Sequence, residues 1–194
     1  TNKEEIAKRM DLARAYNRTL DPARLADPFT QKEKEGRAEY ARMLEINEML
    51  GHVEIPKIGQ DLPIYAGTSD EVLEKGCGHL EGTSLPIGGN NTHTVITGHR
   101  GLPNAKLFRN LDQLVEGDVF YIHNIEDTLA YQVDKIQVVD PSDFQPVLVE
   151  EGHDYATLLT CTPYMINSHR LLVRGHRIPY QAAIDDGVAN TKSQ

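Results

Sequence analysis

The chain has 194 residues, enough for a single hydrophobic core carried by one domain or by one domain with an appendage. Its 39% hydrophobic and 25% charged residues are ordinary for a folded globular protein. Twenty Lys and Arg stand against 29 Asp and Glu, and a net charge of −9 with no basic stripe argues against nucleic-acid binding, which depends on neutralising phosphates.

The first fifty residues form a predicted helical region. Thr1 to Leu20 is charged and Ala-rich, with Ile6, Met10 and Ala13 at helical spacing. Residues 31–50 repeat that character, with Met43, Ile46 and Leu50 on one stripe. Between them, at about 21–30, the steps Asp21-Pro22 and Asp27-Pro28 break the helix and predict a loop.

From His52 the texture becomes β. Strands are predicted at His52–Ile58, with Pro56 suggesting an edge, and at Leu62–Tyr65, Thr92–Thr97 and Val119–His123. Leu129–Val139, Tyr155–Thr160 and Arg170–His176 follow. Ser69–Lys75 reads as one or two helical turns stopped by Gly76, and Leu107–Leu114 as a short helix. Seven or eight short strands separated by Gly, Pro, Asn and Asp predict a mostly antiparallel barrel or sandwich over 51–180. A polar tail, 181–194, closes the chain.

Three residues carry candidate chemistry. Cys161 ends the apolar run Ala156 to Thr160, and Pro163 stops the strand just beyond it. A thiol at a strand end, facing a loop, is placed to react, whereas a structural Cys packs as a small hydrophobe. His99 ends a second β-run, in Gly98-His99-Arg100-Gly101, where the glycines let the backbone turn and leave room for a substrate. An imidazolium near a thiol lowers its pKa and can protonate a leaving amine. Arg170 opens the last strand; its forked donors suit an oxyanion, and Arg174 lies on the same strand face, so alternation alone does not separate them. His52, His79, His123 and His153 read as surface or core-edge residues. Cys161, His99, His93 and His176 lack the close spacing of a metal site, so no metal is expected.

The segment Thr157 to Tyr164, followed by Asn167 to Gly175, resembles the signature of the sortases, especially class C, the pilin polymerases of Gram-positive bacteria. Thr97 to Gly101 is similar to that family's catalytic His segment, and Gly78 to Pro86 resembles another class C stretch. The likeness runs from about Asp21 to Tyr180. It implies a mostly β fold, an eight-stranded sortase barrel with short helices and an N-terminal helical appendage. It implies a cysteine transpeptidase with Cys161 as nucleophile, His99 as proton-transfer partner and Arg170, chosen by its spacing from Cys161, as oxyanion stabiliser. The expected substrate is a Leu-Pro-x-Thr-Gly-like sorting motif of a pilin subunit, resolved by a pilin Lys amine, with no metal or organic cofactor. Asp27-Pro28-Phe29 resembles the class C lid, in which Asp meets the catalytic Arg and the aromatic ring covers the Cys.

The family's setting implies the extracellular face of a Gram-positive cell membrane. No apolar run here reaches the roughly 20 residues of a span, so the anchoring segments are expected to lie outside this chain. Cys77 departs from the pattern and adds a second thiol able in principle to bridge Cys161. Two alternatives stand beside this reading: an L,D-transpeptidase-like peptidoglycan enzyme, and a non-enzymatic β-rich surface module with a structural Cys161.

Overall fold

In a computed structural model, residues 2–30, Tyr40 and 49–180 are described. Helix α1 spans Lys3–Arg18. Asn2 caps it: its Oδ1 accepts a hydrogen bond from the Glu5 amide at 2.8 Å. Met10 and Ala13 are buried on its inner face, as their spacing predicts.

Eight strands follow: β1 Met49–Ile55, β2 Gln60–Ala66, β3 Cys77–His79, β4 Thr92–Thr97, β5 Val119–His123, β6 Thr128–Val139, β7 Asp154–Thr162 and β8 His169–Ile178. They close into one barrel in the order β1-β2-β3-β4-β7-β8-β6-β5, and β5 pairs back onto β1. Inward side chains from several strands, among them Ile64, Ile96, Phe120, Tyr131, Leu158 and Val173, fill the lumen and are essentially inaccessible to solvent. Closure removes the open edges that a flat sheet would expose.

Most pairings are antiparallel, as expected, but β2–β3 and β4–β7 are parallel. The first needs a crossover, which the short helix α2, Asp70–Lys75, provides, capped by the Ser69 hydroxyl on the Val72 amide. The second puts the C-terminal ends of β4 and β7 at the same rim. That register brings the predicted His and Cys segments together.

Several boundaries differ from expectation. Met49 and Leu50 open β1 instead of ending a helix, because Leu50 packs into the barrel core. The rest of the predicted 31–50 helix, Tyr40 apart, and the tail lie outside the described residues. Strand β3 was not foreseen. It is three residues long, and Gly78 has no room for a Cβ, which would stand 2.1 Å from the Gly67 carbonyl oxygen. The helix expected at Leu107–Leu114 is a single 3-10 turn, Leu111–Gln113.

Candidate active site

Cys161 sits on the outer face of β7, one residue before the strand ends, and is 6% exposed. The sequence predicts an accessible thiol; here it is buried. Directly across the β7–β8 ladder its partner is Arg170. Arg174 pairs with Thr157, four residues further along, with its guanidinium on Asp134 at 2.9 Å and over the Tyr155 ring at 3.9 Å. Register therefore separates two arginines that alternation leaves equivalent.

The Arg170 guanidinium is held from both sides. Its Nη1 donates to the Asn167 and His169 carbonyls at 3.0 and 2.9 Å. Its Nε and Nη2 donate to the two carboxylate oxygens of Asp27 at 2.8 and 3.0 Å, and both side chains are 5% exposed. Burial alone would raise the Asp27 carboxyl, but the Arg170 hydrogen bonds, the Thr30 hydroxyl at 2.7 Å and the nearby positive charge hold it below its ordinary value. Burial likewise works to lower the Arg170 pKa. The Asp27 hydrogen bonds and the charge of Cys161 outweigh it and leave the pKa raised.

Phe29 lies between the two other candidate residues. Its ring centroid lies 5.6 Å from that of His99 and 5.1 Å from the Arg170 guanidinium carbon. Behind it, Leu25 and Phe29 pack on an apolar floor of Leu80, Val95, Val147, Leu159 and Leu172. The segment starts from a 3-10 turn, Pro22–Arg24, capped by the Asp21 carboxylate on the Ala23 amide at 3.0 Å.

His99 follows β4 on the loop that Gly98 begins. The Gly98 amide donates to the Leu159 carbonyl at 3.0 Å, and the Thr160 hydroxyl donates back to the Gly98 carbonyl at 2.7 Å. The space beside Gly98 belongs to Phe108, whose ring would meet a Cβ there at 2.8 Å, so this glycine serves packing and not substrate access. Gly101, at φ +132°, makes the turn.

Arg100 was not singled out from the sequence. It is 8% exposed, with Nε donating to the Arg109 carbonyl at 2.8 Å and Nη1 to the Cys161 carbonyl at 3.1 Å. Nη1 also reaches the Thr162 hydroxyl at 3.2 Å, and Nη2 pairs with Asp112 at 3.3 Å. One side chain thus joins the His99 loop to the backbone of the candidate nucleophile. The only sequence signal was a charge placed directly after the His.

The other candidates lie elsewhere. His93 is buried at the far end of β4, with Nε2 2.6 Å from the Thr157 hydroxyl, and burial lowers its pKa to about 4. His176 faces Asp134 at 3.2 Å. Neither joins Cys161 and His99 in a ligand set. Cys77 is a free thiol sealed in the barrel core, and burial pushes its pKa far up, so it neither bridges nor competes with Cys161. His79, expected at a core edge, is fully buried. Its Nε2 donates to the Ser84 carbonyl at 2.7 Å and its Nδ1 accepts from the Tyr40 hydroxyl at 2.8 Å, and burial lowers its pKa to about 4.

A family model described as the sortase domain matches residues 53–178, the whole barrel apart from the first four residues of β1. The chain belongs to the sortase family. It is a cysteine transpeptidase, and its solved neighbours place it with class C. The crystal structure of Streptococcus pneumoniae Sortase C superposes with a TM-score of 0.87 at 61% identity, covering 93% of this chain and 91% of that one. A pilus-related Sortase C of Group B Streptococcus gives 0.88 at 63%, covering 94% and 93%. Sortase D of Bacillus subtilis is 30% identical over 137 residues, which are 69% of this chain and 66% of that protein. Sortases are cell-surface enzymes of Gram-positive bacteria. Among the described residues of this sortase, no helix is long and apolar enough to cross a membrane.

Proposed function

We propose that this sortase cleaves a Leu-Pro-x-Thr-Gly-like motif after Thr, holds the acyl group on Cys161 and passes it to a pilin Lys amine. The observation that carries the reading is the pairing of Cys161 with Arg170 across β7–β8, at the rim where the parallel β4–β7 pair also delivers His99.

The Cys161 thiolate attacks the Thr carbonyl, and His99 as imidazolium protonates the departing Gly amine. The thioacyl enzyme is then attacked by the Lys amine; His99 takes up its proton, and an isopeptide bond replaces the thioester. Both steps pass through a tetrahedral oxyanion, which Arg170 stabilises. Its Nη1 is spent on backbone carbonyls, so Nε and Nη2 are the donors available, and these are the two that Asp27 occupies.

The 21–30 segment accordingly acts as an inhibitory lid. Asp27 masks the oxyanion donors, Pro28 stiffens the turn between the two contacts and Phe29 covers the thiol. The enzyme works at the outer face of the membrane of a Gram-positive cell, tethered by flanking segments. Its partners are pilin subunits that supply the sorting motif and the Lys, and the chemistry needs no cofactor.

Intact mass after incubation with a Leu-Pro-x-Thr-Gly peptide tests this. A thioacyl adduct should form in the Asp27→Ala, Phe29→Ala enzyme and survive Cys77→Ala. It should vanish with Cys161→Ala and slow about 10²- to 10³-fold with Arg170→Gln. No adduct in the lid-opened enzyme would sink the assignment.

A further inference from the structure

A cavity of about 840 Å³ lies between α1 and the barrel, and Cys161 is not among its described lining residues. Leu20, Pro22 and Leu25 line one side, Val147 and Leu148 the other, and Arg14 and Arg18 of α1 stand at its edge. None of its described lining residues is a carboxylate, in a chain of net charge −9. The carboxylates nearby are engaged: Glu81 with Arg24 at 2.9 Å, and Asp154 with Arg177 at 3.1 Å and the Tyr131 hydroxyl at 2.8 Å. Asp11 meets Arg14 only as an exposed pair one helical turn away, which contributes little.

The cavity adjoins the active-site groove, separated from it by a shared wall residue. Val147 lines both it and the small cleft beneath Asp27 and Pro28, which reaches Arg170. Leu25 marks the junction, facing the cavity while packing on the groove floor. From there the 21–30 segment runs along the floor to Phe29 beside His99. Leu25 to Phe29 is four residue steps, or about 13 Å if extended. Leu-Pro-x-Thr is four residues long and must end at Cys161. A substrate that takes the path of the displaced segment therefore delivers its preceding residues into the cavity.

We propose that this cavity binds the acyl-donor polypeptide just upstream of its sorting motif, with Arg14 and Arg18 selecting an acidic residue there. The apolar wall of Val147 and Leu148, which stays in place when the segment moves, receives the neighbouring side chains. The inference rests on the proposed function, because it needs an acyl-donor peptide in the groove. The two can fail separately.

The test measures thioacyl formation by the Asp27→Ala, Phe29→Ala enzyme on three peptides. These are the bare Leu-Pro-x-Thr-Gly motif and the motif with four upstream residues carrying either Glu or Lys. The Glu peptide should react faster than the Lys peptide by about two- to fivefold for each arginine at low salt, and the gap should close in high salt. Arg14→Gln with Arg18→Gln should abolish the gap, and Arg14→Glu with Arg18→Glu should reverse it. Equal rates for all three peptides would overturn the inference and leave the proposed function standing. A preference that survives both double substitutions would remove the two arginines from it. No reaction even with the bare motif would take away the function and this inference together.

Discussion

Two arginines brace Cys161 in different ways. Arg170 sits across the ladder with its forward donors on a carboxylate; Arg100 sits behind the strand and donates to the carbonyl of Cys161 itself. Arg100 is buried and spends its donors on two carbonyls, a hydroxyl and Asp112. Replacing it by Gln leaves several of these acceptors unsatisfied. Hydrogen bonds from a charged donor of this kind are each worth about 1.5–3 kcal/mol. The loss of even one such bond should lower the melting temperature of Arg100→Gln by about 3–12 °C, given about 2–4 °C per kcal/mol for a chain of this size. At a temperature where the variant stays folded, kcat for acyl transfer should fall about tenfold with KM little changed, because the residue positions the nucleophile and does not contact substrate. A variant with normal kcat would reduce Arg100 to a packing role.

At the scale of elements, the 21–30 segment lies on the barrel through one buried ion pair, one aromatic ring, Leu25 and the more exposed Arg24–Glu81 pair. Removing Asp27 and Phe29 takes away the first two while leaving the barrel strands intact. The double Ala variant should therefore expose the thiol instead of unfolding the domain. Labelling of Cys161 by a small thiol reagent should rise about tenfold or more, which corresponds to about 1.4 kcal/mol of lost closure. An unchanged rate would mean that the segment does not control access.

The elements themselves were unevenly legible. The β-branched run Thr92–Thr97 and the strand expected at Val119–His123 appear at their predicted positions, because local propensity and burial agree there. Strand β3 was hidden because its ladder is made by tertiary pairing, with β2 on one side and β4 on the other, and not by its own sequence. Cys161 and His99 were visible as strand-end residues, yet only the parallel β4–β7 register unites them. Choosing Arg170 over Arg174 needed a family likeness at the sequence level; the fold sets them apart only by position, Arg170 across from Cys161 and Arg174 across from Thr157. Arg100 left no periodic trace, since its partners are backbone carbonyls from distant segments.

At the scale of the whole molecule, acidification sets two effects against each other. Lowering the pH from neutrality towards the pI of about 5.3 discharges a net-negative chain, and reduced self-repulsion favours the compact state. Against this stand His79 and His93, both buried and lowered from 6.5 to about 4. Above pH 6.5 each is neutral whether the chain is folded or not, so neither makes stability depend on pH. Between 6.5 and 4 the unfolded chain binds protons that the folded one does not, and stability drops with each step down. By pH 5 the loss reaches about 2 kcal/mol per site, while surface repulsion in 0.1 M salt is screened beyond about 10 Å. The buried pair should therefore win. Asp27 adds to the trend only lower, because its depressed pKa makes closure of the 21–30 segment fail as pH falls below the usual carboxylate range. Thermal unfolding followed by circular dichroism should give a melting temperature that is flat from pH 7.5 to 6.5 and falls steadily from 6.5 to 4.5. His79 is the stricter test of the two, because its neutral tautomer is fixed by the Ser84 carbonyl on one side and the Tyr40 hydroxyl on the other. Its imidazole resonances, followed by NMR in the folded protein, should show no protonation down to pH 5. A His79 that titrates near 6.5 while the barrel stays folded would mean that the Tyr40 contact opens to solvent, and the predicted acid sensitivity would lose half its source.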